Sequence, residues 1–545
     1  MTALLTDNLP LLAGAPNGIK KLRELILELA VRGKLVPQDP NDEPASELLK
    51  RIAEQKARLV EKGEIKKQKP MAAIAEEEKP YDLPDSWAWV RLPEIYYSVS
   101  VSGNKLLSSQ ISEEGIFPVV DQGKKFVSGF TDDESLLIRL PGPVVVFGDH
   151  TTERKYVDFD FVAGADGVKI LRPVLLDEKF FWWHLVGLKL EGRGYARHFK
   201  VLNDAFFALP PKGEQSRIVA KVDELMALCD RLEARQADAD SAHAQLVQAL
   251  LDSLTQARDA EDFAQSWQRL AEHFQTLFTT ESSIDALKQT LLQLAVMGKL
   301  VPQDPSDEPA SELLSRIAEE KARLVTEGKL KKQKLLDEID EKEQTFNLPD
   351  DWEWVRLGSL SQVKGGKRLP AGATFSSSRT PHVYIQVTNM KGGTIIDENL
   401  KYIDEVTQAA IKQYTISKDD IYITIAGTIG EVGTVPERFD KMNLTENAAK
   451  IVFQRINKYW LQRALSSQFA QRQFSDNTNQ LAQPKLALHR IADAVLALPP
   501  LEEQHRIVAK VDQLMSLCDQ LKARLNQARQ VHEQLANALV EQAMA

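Results

Sequence analysis

The chain has 545 residues, 43% of them hydrophobic and 27% charged, which is the balance of an ordinary soluble protein of several domains. Its net charge of −10 argues mildly against nucleic acid as a partner, and two cysteines cannot build a disulfide framework or a zinc site. So few cysteines fit a reducing, cytoplasmic location, and neither a long apolar run nor a signal-peptide pattern predicts membrane insertion or export.

A long repeat begins in the N-terminal part of the chain. Residues 33–60 return at 298–325 with three differences, 265 positions later. "LPDSWAWVRL", which starts at residue 83, returns at the same offset as "LPDDWEWVRL". The period is far longer than that of a solenoid, so the chain is predicted to contain a duplicated pair of units rather than an array.

A third repeated segment, residues 218–235, returns at 507–524, now 289 positions later. The second copy therefore holds 24 more residues between the repeated segments. Residues 83–208 and 348–497, which lie between the repeats, hardly resemble each other. One scaffold that carries two different inserts explains this pattern, and drift of a duplicated surface is the alternative.

These boundaries predict two units, about 18–256 and 283–545, joined by a link near 257–282. In more detail, they predict a helical segment with a charged linker at 1–82, a first insert at 83–208, a central helical region at 209–347, a second insert at 348–497 and a C-terminal helix at 498–545.

Apolar residues recur at spacings of 4, 3, 4 and 3 after each "LPP", which is typical of a coiled-coil seam. The two cysteines hold equivalent positions in this pattern, so we interpret them as small buried residues rather than reactive thiols. The predicted seam residues are Ile218, Val222, Leu225, Cys229 and Leu232 in the first copy and Ile507, Val511, Leu514, Cys518 and Leu521 in the second.

Each insert alternates like β-strands and ends in an aromatic helical stretch, which predicts a small α+β domain. The first insert holds 14 basic and 17 acidic residues, and the second, counted over 348–498, holds 18 and 15. The surplus acidity therefore lies in the helical frame, and acidic amphipathic helices suit protein partners better than DNA.

Basic and polar residues on the glycine-rich turns of the inserts are candidate DNA contacts, because lysine and arginine neutralise phosphates while polar side chains read base edges. Ordinary solvated loop charge is the alternative for any one of them. The candidates are Lys105, Lys124, Lys125, His150, Thr151, Arg154, Lys155, Arg193, Arg197, Lys200, Lys364, Lys367, Arg368, Gln386, Thr388, Asn389, Thr428, Asn477, Gln480 and Lys485.

The motifs of the chemistry expected near DNA are missing. The sequence holds no Asn/Asp-Pro-Pro-aromatic tetrapeptide of a DNA methyltransferase and no GxxxxGK[ST] phosphate loop. His150 lacks cysteine or histidine partners at metal-ligand spacing. We therefore expect no catalytic residue, no metal site and no cofactor in this chain.

Two variable α+β inserts in a duplicated helical frame resemble the DNA specificity subunit of type I restriction-modification enzymes. The resemblance rests on the two "LPD" segments, "GDHTTERKYVDFDFVAGADGVKIL", "GTIGEVG" and "LPPLEEQHRIVAKVDQL". Two features depart from it. The glutamate pair of the last motif is broken at Gly213 in the first copy, and a helical segment precedes the first insert.

The resemblance implies a non-catalytic subunit with an α+β, pseudo-twofold fold. Each insert would be a target recognition domain for one half of a bipartite, asymmetric DNA sequence, and the two long helices would pair as an antiparallel coiled coil. Partners would be double-stranded DNA, two methyltransferase subunits and translocase-nuclease subunits, which would use S-adenosylmethionine, ATP and Mg²⁺. A coiled-coil adaptor whose inserts bind proteins is the alternative, and the missing cofactor motifs disfavour a self-contained modification enzyme.

Overall fold

The computed structural model describes residues 9–68, 71–100, 105–164, 167–190, 197–329, 336–476 and 485–544. The chain forms two compact units, Met1–Ala239 with Ala528–Ala545, and Asp240–Gln527. Each unit contains one of the predicted inserts. No helix among the described residues is both long and apolar enough to cross a membrane.

The helices are α1 (Leu9–Gly14), α2 (Gly18–Val31), α3 (Ala45–Glu61), α4 (Leu92–Ile95), α5 (Glu178–Gly187), α6 (Phe199–Asn203), α7 (Lys212–Thr255), α8 (Ala260–Ala271), α9 (Phe274–Leu277), α10 (Glu281–Val296), α11 (Ala310–Thr326), α12 (Leu357–Leu360), α13 (Glu405–Ala410), α14 (Lys458–Ser466), α15 (Gln468–Asp476), α16 (Leu488–Ala492) and α17 (Leu501–Met544).

The strands of the first unit are β1 (Ala88–Arg91), β2 (Tyr96–Val99), β3 (Lys105–Leu106), β4 (Phe117–Val120), β5 (Gly129–Thr131), β6 (Leu137–Ile138), β7 (Val144–Gly148), β8 (Arg154–Val157), β9 (Phe161–Gly164), β10 (Val168–Pro173) and β11 (Phe206–Leu209). Those of the second unit are β12 (Glu353–Arg356), β13 (Ser361–Gly365), β14 (Val383–Ile385), β15 (Met390–Lys391), β16 (Thr394–Ile395), β17 (Lys401–Tyr402), β18 (Thr415–Ile416), β19 (Ile421–Thr424), β20 (Val432–Thr434), β21 (Met442–Leu444), β22 (Ala448–Phe453) and β23 (Val495–Leu498).

The two inserts share one topology although their sequences differ. In the first, β1 pairs with β11 at the point where the insert leaves the frame, and a four-stranded sheet has the order β2-β10-β7-β8. In the second, β12 pairs with β23, and the sheet order is β13-β22-β19-β20. Each insert adds a second sheet in which parallel pairs occur, β4 with β9 and β14 with β21. The predicted α+β class is confirmed, and the inserts are two versions of one fold.

Identical contacts hold each insert to the helix before it. The Lys56 ammonium donates to the carbonyl oxygens of Pro93 (2.6 Å) and Tyr96 (2.9 Å), and Lys321 donates in the same way to Gly358 (2.7 Å). These acceptors lie in or just after α4 and α12. Burial lowers the pKa of Lys56 to about 8. The repeated sequence thus specifies repeated packing between frame and insert.

The ends of α2 and α10 also repeat. Gly33 and Gly298 follow these helices with φ values of 67° and 70°, a left-handed conformation that favours glycine. A Cβ atom at either position would lie 2.6 Å or 2.5 Å from the Cγ of Pro84 or Pro349. Glycine is required here both by the backbone and by the proline packed against it.

The predicted seam residues lie on the buried face of α7 and α17. Ile218, Val222 and Cys229 are at most 1% exposed, and so are Ile507, Val511 and Cys518. In the first unit this face packs with α2 and with the last turns of α17, and in the second with α10 and the last turns of α7. Each long helix therefore begins in one unit and ends in the other, as the predicted antiparallel pair requires.

The link predicted near 257–282, within the predicted central helical region, contains the helices α8 and α9. Asp259 caps the start of α8 by accepting from the backbone N–H groups of Glu261 and Asp262. Phe263 and Leu270 then bury their side chains in the core of the second unit. The link is therefore an added layer of that unit.

Candidate nucleic-acid interface

In the first insert, the loop after β4 is tied to the β7–β8 hairpin. The Lys155 ammonium donates to the carbonyl oxygen of Asp121 (2.8 Å). The Thr151 hydroxyl donates to the carbonyl oxygen of Gln122 (2.5 Å), and the Gln122 side-chain oxygen accepts from the backbone N–H of His150 (3.1 Å). These contacts hold two turns with candidate residues side by side.

A third segment joins them just before α6. Asp149, which is 3% exposed, accepts the backbone N–H of Phe199 on its carboxylate (2.8 Å) and that of His198 on its carbonyl oxygen (2.8 Å). Asp149 therefore places Arg197 and Lys200 next to the hairpin. The loop after β4, the β7–β8 hairpin and the segment before α6 therefore form one surface rich in cations. Hydrogen bonds to Asp149, Gln122 and Lys155 fix the backbone of this surface.

The second insert brings the corresponding loops together. The backbone N–H of Lys367 donates to the carbonyl oxygen of Leu444 (2.9 Å), and that of Thr445 donates to Ile385 (3.0 Å). The loops after β13, β14 and β21 thus meet at one end of the two sheets.

The β19–β20 hairpin closes this end. The Thr424 hydroxyl donates to the carbonyl oxygen of Thr428 and accepts the backbone N–H of Glu431 (3.0 Å). The backbone N–H of Leu486 donates to the carbonyl oxygen of Ile425 (2.9 Å), so the segment that begins at Lys485 lies against this hairpin.

The candidate residues occupy equivalent places in the two inserts. The hairpin β7–β8 corresponds to β19–β20 in sheet order, and the loop after β4 corresponds to the loop after β14. His150 and Thr151 therefore correspond to the turn that contains Thr428, while Lys124 corresponds to the region of Thr388. Different side chains are presented by one backbone arrangement.

Most candidates lie at the surface. His150, Arg154 and Gln386 are half-buried. Arg193, Asn477 and Gln480 fall outside the described residues. The exposed candidates are Lys105, Lys124, Lys125, Thr151, Arg197, Lys200, Lys364, Lys367, Arg368, Thr388, Thr428 and Lys485.

Two candidates are buried and do not offer their polar groups to a ligand in this conformation. Lys155 is 5% exposed and bonds to the loop after β4, as described above. Asn389 is 0% exposed: its side chain accepts the backbone N–H of Gln386 (3.0 Å) and donates to the carbonyl oxygen of Glu398 (2.7 Å). Both side chains position the loops that carry the exposed candidates.

Arg154 is also constrained. Its guanidinium donates to the carbonyl oxygen of Leu188 (3.0 Å), and burial lowers its pKa. Sequence patterns missed Gln122, which connects two of the loops. They also missed Lys450, which lies opposite Lys364 on the neighbouring strand β22. Alternation along β13 and β22 could have indicated that lysine pair, but the pairing register could not be known.

A buried carboxylate joins insert and frame in the first unit. We call Glu214, Trp87 and Gln38 the Glu214 cluster. The carboxylate of Glu214, 0% exposed at the start of α7, accepts the indole N–H of Trp87 (2.9 Å) and the side-chain amide of Gln38 (2.7 Å). Gly213 precedes it, so the broken glutamate pair leaves this contact intact.

The second unit repeats the arrangement as the Glu503 cluster of Glu503, Trp352 and Gln303. Glu503 is 1% exposed and accepts from Trp352 (2.9 Å) and from Gln303 (2.9 Å). Burial raises the pKa of Glu214 and raises that of Glu503 to about 7, although the hydrogen bonds oppose this shift. A second glutamate, Glu502, is exposed, which explains why glycine is tolerated at the equivalent residue 213.

Two equivalent aspartates of the frame contact different residues in the two inserts. In the first unit, the indole N–H of Trp183 donates to Asp223 of α7 (3.1 Å). In the second, the guanidinium of Arg463 donates to Asp512 of α17 (2.8 Å). Asp223 and Asp512 are equivalent in the repeat, so the frame is constant where the insert is variable.

No group of three or more histidine, cysteine, aspartate or glutamate side chains suited to a metal ion occurs in the described parts of the chain. Both cysteines are buried, and burial raises the pKa of Cys518 to about 11 and raises that of Cys229 as well. The loops of the two inserts place cationic and hydrogen-bonding side chains next to one another. Such groups suit the binding of an anionic, polar ligand.

Comparison with known proteins identifies the family. The specificity subunit of the type I restriction enzyme EcoAI of Escherichia coli is 39% identical over 97% of this chain and 94% of its own length. The chain belongs to the type I restriction enzyme specificity subunits. The EcoEI specificity subunit of E. coli is 37% identical over the same shares of both chains.

A profile of the type I restriction modification DNA specificity domain matches residues 349–529, which run from the start of the second insert to Arg529 of α17. The crystal structure of the HsdS subunit from Thermoanaerobacter tengcongensis aligns over 85% of this chain and 98% of its own, with 17% identity and a TM-score of 0.36. That likeness is too weak to add to the assignment. As a specificity subunit, the chain is a non-catalytic component with a DNA-recognition domain.

Proposed function

We propose that each insert reads one half of a bipartite, asymmetric DNA sequence and that the frame docks two methyltransferase subunits. One observation carries this proposal: the contacts that join insert to frame are the same in both units, whereas the loops of the two inserts differ. The Glu214 and Glu503 clusters match contact for contact, whereas the loops at the far ends of the sheets present different residues. One domain fold with two sets of contacts suits two different half-sites.

The duplicated frame accounts for the partners in the same way. Two copies of one methyltransferase subunit need two equivalent surfaces, which a chain provides by repeating its own sequence. The frame also holds the surplus acidic charge, which keeps it from competing with the inserts for DNA. Translocase-nuclease subunits would complete the assembly, and S-adenosylmethionine, ATP and Mg²⁺ would be used by those subunits rather than by this chain.

The alternative, an adaptor whose inserts bind proteins, has less support. Lys124, Lys125, Arg197 and Lys200 are exposed on loops that are held together, which suits the regularly spaced charges of a phosphate backbone. Phe126 is exposed beside the two lysines, but a protein-binding surface would be expected to centre on a cluster of exposed aromatic and apolar side chains.

Sequencing of methylated bases tests this proposal. The chain would be produced with its own methyltransferase subunit in cells that lack other DNA methyltransferases. We expect one methylated motif composed of two different short halves separated by a fixed number of unread base pairs. Cells without the chain serve as the control and should lack this motif. A continuous or palindromic motif, or methylation that persists without the chain, would contradict the proposal.

A further inference from the structure

A small cleft opens beside the loop after β13. Its volume is about 280 Å³, and it lies between the β13–β22 pair, the segment of Gln413 and Tyr414, and the backbone at Gly366. We call it the Lys364 cleft. A Cβ atom at Gly366 would lie 2.1 Å from the carbonyl oxygen of Thr445, so only glycine allows this wall to come so close. The cleft is therefore continuous with the loops of the candidate interface.

Two lysines face each other across the strands that line the cleft. Lys364 of β13 is directly opposite Lys450 of β22. Like charges directly opposite in an antiparallel pair destabilise it, so their presence requires a reason. Although Lys364 is largely exposed, partial removal from water lowers its pKa, and the neighbouring charge of Lys450 lowers it further.

The nearby carboxylate of Asp420 does not neutralise both lysines. Lys450 donates to the carbonyl oxygen of Thr415 (2.6 Å) and lies 3.4 Å from the carboxylate of Asp420. One carboxylate against two ammonium groups leaves the cleft with a positive charge. The Lys367 ammonium adds another at its rim, 5.7 Å from the ring centre of Tyr414.

The charge of the cleft indicates what it binds. Its volume of about 280 Å³ is ample for one phosphate group, and Lys364 and Gln413 among its lining residues can donate to phosphate oxygens. We propose that the Lys364 cleft holds one backbone phosphate of the DNA half-site that the second recognition domain reads. This inference rests on the proposed function.

The first test is the salt dependence of binding. The chain, assembled with its methyltransferase subunits, would be titrated against its target duplex between 0.05 and 0.3 M salt. Lys364→Gln should reduce the slope of log K against log salt by about 0.9 and weaken binding about eightfold at 0.1 M salt, because one fewer counterion is released. The loss should be equal for target and unrelated duplexes, since a phosphate carries no sequence.

Lys401→Gln is the matched control, because Lys401 is exposed in the same domain on β17, in another sheet. It removes the same charge and should leave the slope unchanged. If Lys364→Gln behaves like Lys401→Gln while the wild-type complex still selects its target, the cleft proposal is wrong and the proposed function stands. If the wild-type complex selects no duplex, the proposed function itself fails.

The second test locates the phosphate. Neutral methylphosphonate groups would replace the phosphates of the second half-site one at a time. At one position the wild-type complex should lose about eightfold in affinity while Lys364→Gln loses nothing further, because the contact is already absent. Equal losses for both proteins at every position would show that Lys364 contacts no particular phosphate and would overturn the assignment.

Discussion

Raising the pH from about 5 to about 8 should lower the free energy of unfolding of the second unit, relative to Glu503→Gln, by about 2.5 kcal/mol. Glu503 is buried, and its pKa in the folded state is raised to about 7 from an ordinary 4.5. The folded state therefore binds the proton more tightly than the unfolded state. The stabilisation by the bound proton is complete below about pH 4.5 and is lost as the pH rises through 7.

The groups around Glu503 act on its pKa in opposite directions. Removal from water favours the neutral acid, whereas the indole N–H of Trp352, the amide of Gln303 and the nearby Arg506 favour the carboxylate. Asp307, which pairs with Arg506 at 2.6 Å, reduces the help that this arginine can give. Burial has the largest effect on this pKa because Glu503 is only 1% exposed.

Hydrogen exchange measured by mass spectrometry on the intact chain would test this prediction, with intrinsic rates corrected for pH. Protection at the start of α17 should fall between pH 5 and 8 in the wild type and change much less in Glu503→Gln, which cannot ionise. Glu214→Gln is the matched variant in the other unit and should alter the start of α7 in the same direction. A wild-type minus variant difference that stays constant from pH 5 to 8 would contradict the prediction.

Lengthening both long helices by one heptad should lengthen the unread spacer of the DNA target. The chain passes between its two units inside α7 and inside α17, since the unit boundaries fall at residues 239 and 527. Seven residues add about 10.5 Å of helix, which corresponds to about three base pairs at about 3.4 Å each. Insertion after Arg235 and after Arg524 keeps the apolar seam in register.

The methylated motif should then keep both half-sequences and gain about three base pairs between them, with about two to four allowed for rotation about the duplex. Four-residue insertions at the same two positions are the control, because they break the heptad register and should abolish methylation. Full activity of the heptad variant at the original spacing alone would show that the helices do not determine the spacer.

The apolar faces of the long helices could be predicted because they depend on local patterns. The 4, 3, 4, 3 spacing predicted such a face on α7 and on α17, and Ile218, Val222, Ile507 and Val511 on these faces are buried. The helices of residues 257–282 lie within the predicted central helical region, and Asp259 as cap with Phe263 and Leu270 on one face is a local signal for them. Their packing into the core of the second unit has no such local signal.

Long-range contacts could not be predicted. Glu214 and Trp87 lie 127 residues apart, and nothing in either segment indicates that they meet in a buried cluster. The common topology of the inserts was hidden for the same reason, since strand pairing joins distant segments. Lys155 is an intermediate case: it lies two residues before Val157, on the same inward face of β8, so its burial had a signal that its charge obscured.

Exchange of one insert tests the central claim most directly. Residues 358–494, which leave the paired strands β12 and β23 and the Glu503 cluster in place, would be replaced by the corresponding segment of the EcoAI specificity subunit. The hybrid would be produced with the methyltransferase subunit of this system, and methylated bases would be sequenced. A second hybrid, in which residues 93–205 of the first insert are replaced in the same way, is the matched control.

In the first hybrid, we expect one half of the methylated motif to change to that of the donor. The other half, which the unchanged first insert reads, should stay the same. The second hybrid should change the other half. A hybrid that alters both halves, or that methylates the original motif unchanged, would show that the inserts do not read separate half-sites.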